Sequence, residues 1–150
     1  VNNAAILTPR RTVVDTDAET WSEVLRINVI GTANLIRHCL PRMERQGRGV
    51  IVNLSSGWGR SAAGMVAPYC ASKFAVEALT QSVAEESRSG VIVFALNPGV
   101  IATEMLATAF DEDVSCYPKP ADLDGAWLRL FAGVRPDWHG TSRDLGGAGE

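Results

Sequence analysis

From Trp21 onward, the apolar residues Val24, Leu25, Val29, Ala33, Ile36, Leu40 and Met43 recur at helical spacing. This stripe predicts a long helix over about 17–46, started by Asp17 or by Thr16 with Glu19 as a capping box. Asn28 interrupts the stripe on its buried side and needs a hydrogen-bonding partner there. Pro41 is expected to kink the helix or end its regular part, and Gly47-Arg48-Gly49 to close it. Val50-Ile51-Val52-Asn53-Leu54 is short, β-branched and apolar on both faces, as a central parallel strand is. A glycine-bearing loop follows, then a helix over roughly 67–88 with Phe74, Val76, Ala78, Leu79 and Val83 as its apolar residues. Gly90 breaks that helix before a second buried strand, Val91-Ile92-Val93-Phe94-Ala95-Leu96, which stops at Asn97-Pro98-Gly99.

Strand, helix and strand in this order predict an α/β fold with a parallel sheet and right-handed crossovers. Val1-Asn2-Asn3 reads as a strand end entering a loop, and residues 7–16 as loop. Ligands of such sheets sit beyond the carboxyl ends of the strands. The Asn2-Asn3, Ser55-Ser56 and Pro98-Gly99 loops therefore converge on one place. Beyond residue 104 the pattern thins: 111–120 is expected to be loop and 121–133 a short helix. Residues 134–150 are expected to form a poorly ordered, glycine-rich tail, with at best a frayed strand near Thr141 to Leu145. The whole is read as one domain of 150 residues.

Composition narrows the function more than the fold. With 46% hydrophobic and 21% charged residues the chain has the make-up of an ordinary globular protein, and a net charge of -3 gives no footprint for nucleic acid. No apolar run reaches the ~18 residues of a membrane helix. Cys39, Cys70 and Cys116 are odd in number and far apart, which suits free thiols in the cytoplasm better than a disulfide framework. Two histidines a hundred residues apart give no metal-ligand cluster, so no metal is expected.

The chemistry is concentrated in Ser55 to Lys73, SSGWGRSAAGMVAPYCASK. Tyr69 and Lys73 are four residues apart, so on a helix they share one face. A cation beside a phenol favours the phenolate, and the expectation is that Lys73 lowers the pKa of Tyr69 toward the range of a general acid-base. The bland alternative is an exposed tyrosine lying on a lysine stem.

Taken with this pair, a set of landmarks resembles the short-chain dehydrogenases/reductases, which use NAD or NADP. Asn2-Asn3-Ala4-Ala5 resembles the family's Asn-Asn-Ala-Gly loop beside the cofactor. Asn28, in Ile27-Asn28-Val29-Ile30-Gly31, resembles the helix asparagine of the catalytic tetrad. Ser56 lies thirteen residues before Tyr69, the family's usual serine–tyrosine separation, and Tyr69 with Lys73 fits its signature pair. Pro98-Gly99-Val100-Ile101-Ala102-Thr103 resembles the Pro-Gly loop whose Ile101 and Thr103 positions meet the nicotinamide carboxamide.

The resemblance implies a Rossmann-like, doubly wound fold and hydride transfer between NAD or NADP and a small carbonyl or alcohol. Tyr69 would be the general acid-base. Lys73 would tune it and hold the ribose hydroxyls, Ser56 would hold the substrate oxygen, and Asn28 would hold a relay water, with Ser55 structural. Asn2, Ala4, Tyr69, Lys73, Pro98, Gly99, Ile101 and Thr103 would bind the cofactor. Dimers or tetramers would form by packing the helices over 17–46 and 67–88. Met105, Leu106 and Phe110 suit an apolar pocket wall, though core packing accounts for them equally.

Two departures qualify the match. Ala5 stands where the family usually has glycine, and a methyl there could crowd the cofactor or demand an unfavourable backbone angle. No G-x-G-x-x-G opens a helix anywhere. The chain is therefore expected to be the C-terminal part of such an enzyme, a partial fold with its N-terminal strands missing. The competing expectation is a truncated, non-catalytic fragment serving only as an interaction or structural piece. A sugar epimerase of the extended branch is disfavoured, because there the serine or threonine usually lies further from the tyrosine.

Overall fold

A computed structural model of the chain describes residues 1–88, 90–111 and 113–147. Strand β1 (Gly49–Leu54) runs parallel to β2 (Val91–Asn97), in register from Gly49 opposite Val91 to Leu54 opposite Leu96. A third strand, β3 (Ser142–Asp144), runs parallel to the end of β2, giving the order β1-β2-β3. Asn2 forms a parallel bridge to Asn53 on the other side of β1, with Asn2 N donating to Val52 O (2.8 Å) and Leu54 N to Asn2 O (3.0 Å). The opening residues are thus a strand end beside β1, as their sequence predicts.

Helix α1 (Ala18–Leu25) is capped by Asp17, which accepts from Thr20 N at 2.7 Å. A π-helical turn (Arg26–Ile30) joins it to α2 (Gly31–Gln46), which ends at left-handed Gly47. Pro41 neither ends nor interrupts α2. The irregularity falls instead at the π turn, where the extra residue in the ladder brings Asn28 inward. Helix α3 (Ala67–Glu86) is the crossover between β1 and β2. Two shorter helices, α4 (Glu104–Phe110) and α5 (Asp124–Ala132), follow β2.

Alternate residues of the strands face opposite layers. Ile51, Val91 and Val93 pack with Ile36, Val83 and Ala84 of α2 and α3. Val52, Phe94 and Leu96 pack on the other face with Leu130, Trp138 and Leu145. The sheet is therefore covered on both sides, which explains strands without a polar face.

The last two buried residues correct the expectation of a poorly ordered tail. Through residue 147 the segment is built into the fold, and residues 148–150 lie outside the described part. Trp138 meets Phe94 edge to face at 5.4 Å between ring centroids, while Arg143 lies over its ring. His139 accepts from Val93 N through Nδ1 (3.2 Å) and has Nε2 2.9 Å from Ala84 O, so the tautomer with the proton on Nε2 satisfies both contacts. Among the described residues no helix is long and apolar enough to cross a membrane.

Candidate active site

A cavity of about 670 Å³ opens beyond the carboxyl ends of β1 and β2. Of the residues singled out in the sequence, Ala4, Ser56, Tyr69, Lys73, Pro98, Gly99, Ile101 and Thr103 line it, as do Met105 and Leu106. The three loops do converge. Asn2 and Asn28 do not line the cavity.

Tyr69 and Lys73 sit one turn apart near the start of α3, which begins with Pro68 in its first turn. Lys73 is 4% exposed, and its ammonium donates to Leu54 O at 2.8 Å. Nζ lies 5.4 Å from the centroid of the Tyr69 ring. The ammonium is thus above the face of the ring, held by the end of β1. Burial pushes the phenol up to about 12, a hydrogen bond with Ser56 opposing the shift and Cys70 adding to it. Burial pulls Lys73 down to about 8, opposed by the charge of Glu77. The expected lowering of the tyrosine by the lysine is not what this arrangement gives. Loss of water around the phenol outweighs every favourable contact it makes.

Ser56 caps a 3-10 turn (Gly57–Gly59) and accepts from Trp58 N at 3.2 Å. Its one hydroxyl proton is the donor to the Tyr69 phenol that opposes the rise of that group. Ser55 is buried and its Oγ has no partner among the described residues. It packs beneath Gly59, where an added Cβ would meet that oxygen at 2.5 Å.

Asn28 is 1% exposed and its amide is spent on the protein. Oδ1 accepts from Ile6 N (2.8 Å), while Nδ2 donates to Ile6 O (2.9 Å) and to Ser72 Oγ (3.0 Å). Both amide hydrogens are committed, and the side chain pins the loop after Ala5 to α3. Asn2 likewise turns into the sheet and donates to Asn53 Oδ1 at 2.7 Å. It is Asn3 that shares the cavity wall with Ala4 and Ala5. Ala5 lies outside the left-handed region, so its methyl brings no backbone strain.

Gly99, at φ +85, turns the Pro98-Gly99 loop at a point where an added Cβ would meet nothing within 4 Å. Its N–H donates to Asn97 Oδ1 (3.1 Å), and Asn97 Nδ2 donates to Asp144 Oδ1 (2.7 Å). Asp144 also takes a two-pronged hydrogen bond from Arg60, which holds its carboxyl below the usual carboxylate range. Thr103 accepts from Leu106 N (3.3 Å) as the cap of α4. Its hydroxyl can still donate.

Sequence reasoning passed over Asn97, Arg60 and Asp144, whose partners lie 47 and 84 positions apart. It also passed over Trp58, which stacks on Phe110 (5.8 Å) and meets Tyr69 edge-on (6.1 Å). A tryptophan two residues after Ser56 was the available signal. Among the described residues no group of His, Cys, Asp and Glu could hold a metal ion.

Comparison with known proteins places this geometry. Residues 1–114 match the sequence pattern of the family described as short chain dehydrogenase. An NADPH-dependent pterin aldehyde reductase of Arabidopsis thaliana is 48% identical over 120 residues, which are 80% of this chain and 50% of that protein. The L-fucose dehydrogenase of Mus musculus is 39% identical over 106 residues, 70% of this chain and 38% of that protein. A short chain dehydrogenase from Shigella flexneri, complexed with NADP, superimposes with a TM-score of 0.85 at 31% identity, over 96% of this chain and 61% of its own. Another from Escherichia coli CFT073, complexed with NADPH, gives 0.86 at 32%, over 95% and 60%. The chain spans about half the length of the curated relatives it matches.

Proposed function

The chain belongs to the short chain dehydrogenase family, and on that premise we propose that it supplies the catalytic half of an NADPH-dependent reductase acting on a carbonyl compound. The observation that carries this is Tyr69, Lys73 and Ser56 together at the wall of one cavity. The nicotinamide cofactor supplies the hydride when bound.

The residues present fit its nicotinamide end. Lys73 has three N–H groups and spends one on Leu54 O, leaving two for ribose hydroxyls. Asn3, Ala4, Ile101 and Thr103 form the wall beside it. The 3-10 turn Gly57–Gly59 is no cradle for a pyrophosphate, since no helix N-terminus follows it directly.

Tyr69 gives its proton to the carbonyl oxygen as the carbon is reduced, and takes one back in the reverse direction. A phenol pushed up to about 12 is fully protonated at neutral pH, the form a reductase needs at the start of a turn. Ser56 donates to the same oxygen and steadies its developing charge. Asn28 and Ser72 hold the loop of Ala4 and Ala5 at its distance from α3. The apolar wall, with Trp58, Met105 and Leu106, suits a carbonyl carried on a flat or apolar body, in keeping with the aldehyde substrate named for the Arabidopsis relative.

Exposed Ile30, Leu35 and Phe74 on the helices suit pairing of two copies, and the free thiols Cys39, Cys70 and Cys116 suit the cytoplasm. The test is to join this chain to the N-terminal half of the Arabidopsis relative and assay aldehyde-dependent NADPH oxidation. Tyr69→Phe should lower kcat by about 10²–10⁴-fold. A Tyr69→Phe chimera as fast as its parent would sink the reading.

A further inference from the structure

Glu77 is a buried carboxylate, 7% exposed, one helical turn beyond Lys73 on α3. Nothing in the chemistry above uses it. A charge withdrawn from water costs several kcal/mol unless it is compensated, so its position calls for a reason. Ser142 of β3 donates to its Oε1 at 2.9 Å. Gly59 closes over its stem, since a Cβ there would lie 3.2 Å from Glu77 Cγ. The carboxylate is therefore fixed, dry and on the same helix face as the lysine.

The charged groups that act with it are Lys73 on α3 and Arg60 after the turn Gly57–Gly59. On β3, next to Ser142, Arg143 lies over the Trp138 ring and Asp144 is bound by Arg60. Arg60 is engaged on both prongs by Asp144, which neutralises it locally. The charge of Glu77 reaches both Arg60 and Lys73, and of the two it is Lys73 that has no carboxylate bound to it, its ammonium having only the carbonyl of Leu54 as a close partner.

We propose that Glu77 is a positioning residue, the buried counter-charge that keeps Lys73 protonated inside the site and so sets the pH range in which Lys73 works beside Tyr69. This rests on the reading of Lys73 as a working cation. Burial alone drives the lysine toward its neutral form, and Glu77 opposes that drive. Without the carboxylate, Lys73 would lose its proton closer to neutral pH, and the ribose hydroxyls and the phenol would face an amine in place of an ammonium.

The sequence makes the test direct, because Lys73 and Lys119 are its only lysines. In the whole chain labelled with ¹³C at lysine Cε, two titration curves are followed by NMR. The expected midpoint of Lys73 is about 8. Glu77→Gln should move it down by about one unit or more, a tenfold or greater loss of proton affinity, with Lys119 as the unmoved internal reference. Glu77→Asp should restore most of the shift. An unchanged Lys73 midpoint in a folded Glu77→Gln chain overturns the proposal. Should that variant fail to fold, the wild-type chain labelled at glutamate Cδ decides. The Glu77 signal must show an inflection at the midpoint of Lys73, and its absence is equally fatal. A Lys73→Met chimera with undiminished turnover would instead overturn the catalytic reading while leaving the titration result intact.

Discussion

Asp144 accepts a hydrogen bond from Asn97 at 2.7 Å, and through it the short last strand holds the loop of Pro98 and Gly99. The same carboxylate grips Arg60 at the end of the turn that carries Ser56 and Trp58. Two loops lining the cavity thus share one anchor, contributed by a strand of three residues. Asp144→Ala should leave the loops in place only part of the time. In the chimera described above, we expect KM for NADPH to rise about three- to tenfold, the effect of one or two exposed charge-assisted hydrogen bonds, with kcat little changed. Steady-state kinetics at fixed ionic strength measure this. A loss confined to kcat would assign Asp144 another task.

Asn28→Ala distinguishes an anchor from a water holder. Removing the amide leaves Ile6 N and Ile6 O without their partner, and Ser72 Oγ without its donor. Unsatisfied buried groups of this kind cost about 1–3 kcal/mol. Urea denaturation should report that loss, together with faster amide exchange in residues 3–7. Unchanged stability with reduced turnover would favour the relay.

Stability against pH follows from the two shifted groups. Lys73 is lowered from 10.5 to about 8 in the folded chain, so between those values the unfolded chain holds more protons and stability rises with pH. Tyr69 is raised from 10.0 to about 12, so between those values the folded chain holds more protons and stability falls. Chemical denaturation across pH 7–12 should therefore show these two groups contributing a maximum near the crossing, at about pH 10. Lys73→Met should flatten the rising limb and leave the falling limb in place.

Trp138→Ala tests whether the closing segment belongs to the core. The indole is 3% exposed and packs on Phe94. Its loss should cost about 3–5 kcal/mol, in the range of large-to-small core changes for aromatic residues. A loss under ~0.5 kcal/mol, as at a surface position, would return the segment to the status of a tail.

What the sequence makes legible here is what is local and periodic. The strand pair, the crossover helix and the meeting of Ser56, Tyr69 and Lys73 all follow from short-range patterns. The closing segment was misjudged because Trp138 and Leu145 are single apolar residues among glycines and charges, with no period to betray them. Their burial depends on a sheet face built some forty residues earlier. Asn28 stands out in the sequence as a polar residue on an apolar face, but nothing local shows that Ile6 lies against it. The direction of the phenol's shift is not legible in the Tyr69–Lys73 spacing, which reports proximity and says nothing about how much water the fold removes. Pro41 was expected to disrupt a helix that absorbs it, while the π turn at Arg26–Ile30 carries no residue signature at all.

The strand pairings also imply an order of events during synthesis. The β1–α3–β2 unit is a continuous stretch with its own buried face, so it can close as soon as Asn97 has left the ribosome. From that point 47 further positions must be added before Asp144 can meet Arg60. Until that residue emerges, the nascent chain has Tyr69 and Lys73 in place while the two flanking loops lack their shared anchor. The two loops beside the cavity are thus fixed only once β3 has been made, after the strands and helix they flank.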